Sequence, residues 1–293
     1  MSIHQTARTQ YVSVNNIEVA YRLFGTPSRV PLLFNQHFRG TMDHWDPLLI
    51  NTIATTRQVL LFDSYGVGKS SGDVPETFAG WADVAASLLS ALSIEVIDVF
   101  GFSMGSMAAQ MLALNYPSLV RRLVLGGASP SYGRGVVTGP AWTFPKLMDA
   151  STPEEYKNAY LSTFYDQVPK KQRLAEEWWA RIQERSEDRS PYLGPEQTSR
   201  QASAAQKWFS AGNEASGSYD RLGELKMPVL VVNGDEDITV PTENSLVLYK
   251  KIKEGNRNCH LHIYPGTGHG FLNEYAEMFG KHLEIFLDME RVI

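Results

Sequence analysis

The sequence predicts an α/β fold, a doubly wound and mostly parallel sheet interrupted by a helical insertion. Three observations lead there. Short apolar runs alternate with amphipathic stretches through residues 1–130, the pattern of strand-helix repeats. The runs are apolar almost without a break, as strands covered on both faces require. The alternation then lapses from about Ser129 to Leu225 and resumes beyond it.

Taken in order, residues 11–14 and 17–24, joined by Asn15-Asn16, read as an opening hairpin. Residues 30–35, 58–63, 95–102 and 122–127 read as parallel strands, with helices at 46–55, 75–92 and 104–114 between them. In the second helix Phe78, Trp81, Ala82, Val84, Ala85, Leu88 and Leu89 recur at spacings of three and four, one buried stripe. The middle of the chain offers helices at 153–164, 170–185 and 195–211. Strand-helix alternation returns as 228–233, 243–253, 260–264 and 274–287. The expected organisation is a core of residues 1–130 and 226–293 carrying an inserted helical unit, 131–225.

Composition narrows the function. A net charge of −5, with no basic run longer than a pair such as Lys170-Lys171 or Lys250-Lys251, argues against a nucleic-acid partner. The single cysteine, Cys259, excludes a disulfide within the chain. The first ten residues are polar, and no apolar stretch approaches the roughly 18 residues of a membrane span. A cytoplasmic chain without a membrane partner is therefore expected, and its oligomeric state is not readable. Gly66-Val67-Gly68-Lys69-Ser70 ends like a phosphate-binding loop, but Asp63 stands where that loop needs glycine. A carboxylate there repels phosphate.

The segment with the most chemistry is Gly101-Phe102-Ser103-Met104-Gly105. It follows a strand directly and opens a helix directly. A serine hydroxyl is a poor nucleophile unless a tight turn exposes it beside a base. The helix behind it aims its positive end, with the Met104 amide, at charge forming near Ser103. A nucleophile needs a base, and seven histidines compete. Only His269, between Gly268 and Gly270, lies on a loop after a strand, where it can reach the turn. His260 and His262, with Cys259, match no common zinc spacing, so no metal is expected. His4, His44 and His282 read as surface residues. The orienting acid should follow a strand end as well; Asp235, Glu236 and Asp237 all do.

With these motifs in place the chain resembles the α/β-hydrolase fold family, in its serine hydrolase branch with a helical cap. The elbow 101–105, the Gly-x-x-Asp-x-x-x-Pro run 234–241, the Gly268-His269-Gly270 loop and the Asp-x-x-Gly-x-Gly-x-Ser stretch 63–70 carry the likeness. The resemblance implies a Ser103, Asp237, His269 triad in the family's chain order. It implies a second oxyanion donor, the amide of Phe38, although Gln36-His37 stands where the family has His-Gly. It implies that the insertion is a cap over a substrate pocket, with His37, Arg39, Trp142 and Phe271 as candidate contacts. Arg39 reads equally as a residue that pins its own loop.

The expected activity is hydrolysis of a carboxylic ester or lactone of a small, largely apolar substrate through an acyl-enzyme, without metal or organic cofactor. Alternatives are a C–C bond hydrolase or a cofactor-free haloperoxidase-like enzyme with the same triad. More remote is a ligand receptor with slow turnover. Ser103 excludes the branches with an aspartate nucleophile.

Overall fold

The structure is a computed structural model that describes residues 3–28 and 30–289. Strands β1 (Gln10–Val14) and β2 (Ile17–Gly25) form the expected hairpin. Asn15 and Asn16 both hold positive φ, 53° and 64°, the pair of left-handed residues that a tight two-residue turn demands. The remaining strands are β3 (Leu32–Asn35), β4 (Gln58–Phe62), β5 (Ile97–Phe102), β6 (Val120–Gly126), β7 (Val229–Gly234) and β8 (Cys259–Tyr264). They form one sheet in the order β1-β2-β4-β3-β5-β6-β7-β8. Strands β3 to β8 run parallel, and β2 is antiparallel to both its neighbours.

The chain winds outward from β3 to β4, then returns to lay β5 on the other side of β3. That reversal is a topological switch point. Loops leaving the carboxyl ends of β3 and β5 must diverge there and leave a crevice between them. Asn35 pairs with Gly101 in the register, so the crevice lies where both sequence motifs begin.

Helices α1 (Pro47–Ala54), α2 (Phe78–Ala91) and α3 (Met104–Asn115) connect the first strands. Asp46 caps α1 through a bond from the Leu48 amide, with Pro47 in the first turn, both favourable at a helix start. Every residue of β3, β5 and β7 is buried, as a sheet covered on both faces requires. Between β6 and β7 the described residues form four α-helices and no strand: α4 (Thr143–Asp149), α5 (Pro153–Phe164), α6 (Pro169–Ile182) and α7 (Pro195–Phe209). The sequence reading missed α4. Its Pro145 reads as a breaker, yet it occupies the first turn, where no amide bond is lost. After β7 come α8 (Thr242–Lys253), α9 (Phe271–Glu274) and α10 (Ala276–Asp288). The expected final helix, 274–287, is α10; the single turn α9 ahead of it was not expected. No described helix is long and apolar enough to cross a membrane.

Two surface assignments are corrected. His4 is 2% exposed and His44 4%. The His4 amide bonds Asn51 Oδ1 and its ring stacks on Phe24. His44 Nδ1 accepts from the Thr41 amide at 3.0 Å. Single histidines outside a periodic run give the sequence no burial signal.

Candidate active site

The end of β5 turns sharply into α3 at Ser103, whose φ of 56° and ψ of −125° lie outside the regions an L-residue prefers. Such strain persists only when the surroundings enforce it. Here the Ser103 amide bonds Gly126 O at 2.9 Å, and Ser106 Oγ bonds Ser103 O at 2.5 Å. Gly105 is needed for a second reason: a Cβ there would stand 2.1 Å from the Asn35 carbonyl oxygen. The first turn of α3 therefore presses against the end of β3. That contact sets the Met104 amide beside the loop 36–40.

The loop is braced from inside. Gln36 accepts from the His37 amide at 2.9 Å and donates to Thr41 O at 2.8 Å. The Phe38 carbonyl receives His37 Nδ1–H at 2.9 Å and Tyr160 Oη–H at 3.3 Å. Arg39, at φ 58°, donates its amide to Gln201 Oε1 at 2.8 Å. With the carbonyl so held, the Phe38 amide has no hydrogen-bond partner among the described residues, nor does that of Met104. Two unclaimed donors flank Ser103. The bulk of His37 does not break the loop, because its ring tucks beneath it among Phe102, Tyr160 and Phe164. Burial, with His269 nearby, pushes the His37 imidazole down to about 3, so it is neutral.

Asp237 follows β7 and His269 follows β8, neighbours in the sheet. Asp237 Oδ1 accepts the Thr239 and Val240 amides at 2.8 and 2.9 Å, and Oδ2 accepts from His269 Nδ1 at 2.6 Å. Asp235 and Glu236, the rival acids, are exposed. The His269 ring is fully buried, stacked on Phe102 at 4.8 Å and met edge-on by Phe164 at 4.9 Å. It lies over Gly127, where a Cβ would approach His269 Cε1 to 2.7 Å. Gly127 directly follows the residue that holds the Ser103 amide. The Nε2 atom, buried, has no hydrogen-bond partner among the described residues, Ser103 Oγ included. The bond between Asp237 and His269 is formed, and none joins His269 to Ser103.

Ser103, Phe38 and Met104 open into a cavity of about 800 Å³. Its far walls come from α4 (Phe144, Leu147, Met148) and α7. Among the four contacts proposed from sequence, none lines it. His37 lies under the loop. The Arg39 guanidinium is turned away, donating to the carbonyls of Leu147, Met148 and Leu193 and to Tyr156 Oη. It is the pin, tying loop 36–40 to the helical insertion. Trp142 is 46% exposed, its ring facing the Lys146 ammonium at 5.9 Å. Phe271 is fully buried against Tyr264 and Phe279. The lining helix α4 and the cover that Phe164 gives His269 escaped the sequence reading, since neither carries a motif.

The phosphate-loop look-alike is explained too. Residues 66–70 fold back on Asp63, whose Oδ2 accepts the Lys69 amide and the Ser190 hydroxyl and whose Oδ1 accepts the Met42 amide. The turn encloses a carboxylate, not an anion from outside.

Comparison with known proteins agrees with this architecture. Residues 30–274 match the alpha/beta hydrolase fold family. A solved alpha/beta hydrolase fold protein from Chitinophaga pinensis superposes with a TM-score of 0.87 at 33% identity, over 99% of this chain and 100% of that one. A poly(3-hydroxyalkanoate) depolymerase from Ectopseudomonas oleovorans is 29% identical over 97% of this chain and 93% of its own. A 2-hydroxy-6-oxo-6-phenylhexa-2,4-dienoate hydrolase from Burkholderia cepacia is 27% identical over 78% of this chain and 76% of its own. The chain belongs to the alpha/beta hydrolase fold family.

Proposed function

We propose that the chain is a serine hydrolase that opens a carboxylic ester or lactone through an acyl-enzyme, with Ser103 as nucleophile, His269 as base and Asp237 as the acid that orients it. The observation that carries this reading is the 2.6 Å bond from His269 Nδ1 to Asp237. A carboxylate can only accept, so the proton sits on Nδ1 and Nε2 keeps its lone pair for the serine. Hydrogen bonds of catalytic pairs often tighten only when substrate binds.

In this scheme Ser103 Oγ attacks the carbonyl carbon while Nε2 takes the hydroxyl proton. The amides of Phe38 and Met104 hold the charge that develops on the carbonyl oxygen. The leaving alcohol takes its proton from Nε2. Water then attacks the acyl carbon by the same route and restores Ser103. Metal and organic cofactor have no part in these steps. Residues 131–225 act as a cap whose helices α4 and α7 close the pocket over a small-molecule substrate.

A second reading rests on the relatives. The Burkholderia cepacia protein is named for a dienoate whose cleavage breaks a C–C bond beside a ketone, and the same three groups would serve it. Steady turnover of p-nitrophenyl butyrate by the native chain, abolished in Ser103→Ala, is the expected result. Turnover that survives the substitution unchanged contradicts the assignment. Faster loss of a 2-hydroxy-6-oxo-dienoate than of the ester selects the second reading.

A further inference from the structure

The cavity above Ser103 holds no Asp, Glu, Lys, Arg or His among its described lining residues. The nearby cations are engaged elsewhere. Arg39 is spent on three carbonyls and Tyr156, and Arg200 and Lys207 both pair with Glu76. Four of the polar side chains in the lining are committed as well. Asn244 is bonded at both ends to the Val137 backbone, Thr239 to Thr163 O, Thr143 to Pro140 O and Ser203 to Glu76. What faces the interior is the surface of Phe38, Phe144, Leu147, Met148, Met107 and Val240. The positive end of α3 is already aimed at the oxyanion position.

From this lining we infer, resting on the hydrolase reading above, that the substrate is an uncharged ester or lactone with a medium-length apolar acyl group, and that acyl groups bearing a carboxylate are rejected. At about 800 Å³ the cavity falls within the roughly 300–1,000 Å³ that holds a drug-sized ligand. A carboxylate at the end of the acyl chain would lose water and meet no counter-charge in the lining, because the two free amides sit at Ser103 where the reacting carbonyl must lie; an unpaired buried charge carries a large penalty. The same argument disfavours the dienoate acid of the second reading.

The test uses two methyl esters with acyl chains of equal length, methyl octanoate and monomethyl suberate, followed by titrating the acid released at neutral pH. The native protein is expected to favour methyl octanoate in kcat/KM by about 100-fold or more. Gln206→Arg places a cation on the exposed rim of the α7 wall and is expected to cut that ratio about tenfold. Equal rates, or a preference for the suberate, overturn the inference. If neither ester is hydrolysed the hydrolase reading fails, and calorimetric binding of the same pair to the native protein decides the cavity alone. Selective binding of methyl octanoate then upholds the inference; equal binding, tighter binding of the monoacid, or binding of neither overturns it.

Discussion

Asp237 uses its two oxygens for different tasks, and that division makes it the most informative single residue. Oδ1 holds the turn 237–240 through two amides, while Oδ2 holds His269. In Asp237→Asn the amides keep the side-chain oxygen on the Oδ1 side, because a side-chain NH2 cannot face two N–H donors. The NH2 then points at His269 Nδ1, which must accept, and the imidazole proton moves to Nε2. In the proposed mechanism His269 could then no longer take a proton from Ser103. We expect kcat to fall by about 10³–10⁴-fold with urea stability close to native; a change under tenfold would remove Asp237 from the triad. The sequence offered three acids here and could not choose between them without the family likeness. Burial distinguishes them: Asp237 is 5% exposed and the other two face solvent. Serine 103 and His269 were legible because glycines on both sides mark their turns. Arg39 was ambiguous, since a cation that binds ligand and one that binds carbonyls look alike in a sequence.

At the scale of elements, strands were easier to read than the helices of the insertion. Strand positions follow from unbroken apolar runs between turn residues, and hairpin geometry from Asn15-Asn16. Helix α4 has seven residues with a proline among them, too short for periodicity to register. Its importance lies in a tertiary bond: Arg39 ties the carbonyls of Leu147 and Met148, at its carboxyl end, to loop 36–40. Such a link between positions over 100 residues apart leaves no local trace. Arg39→Lys supplies a point charge in place of a planar fork and cannot reach all the carbonyls at once. Each buried carbonyl left unpaired costs about 1–3 kcal/mol. The variant is expected to lose about 3 kcal/mol in urea denaturation and to be cut by protease first within 143–209. Unaltered stability and a core-first cleavage pattern would separate Arg39 from the insertion.

Across the whole molecule, buried titratable groups set how stability answers to pH. Burial lowers His4 and His37 from 6.5 to about 3 each, and lowers His44 well below its ordinary value. The unfolded chain therefore binds protons between pH 6.5 and 3 that the folded chain refuses, so stability falls as pH falls through that window. At pH 5, His4 and His37 account for a loss of about 2 kcal/mol each. Burial raises Asp63 to about 6 against the amides that favour its charge, so the folded state takes up that proton first and regains about 1 kcal/mol at pH 5. Denaturation at pH 7.5 and 5.0 should show a net loss of about 3 kcal/mol or more; equal stability at the two values would mean these histidines are not buried neutral. The sheet's larger task is to bring the ends of β3, β5, β7 and β8 to one rim, where segments separated by over 160 residues meet around Ser103. Peptide mapping after treatment with a fluorophosphonate probe tests that meeting most directly. A single adduct on Ser103, formed rapidly by the native chain, slowly by Asp237→Asn and not at all by Ser103→Ala, is the expected result. An adduct elsewhere, or one that forms at the native rate when Asp237 is replaced, would contradict it.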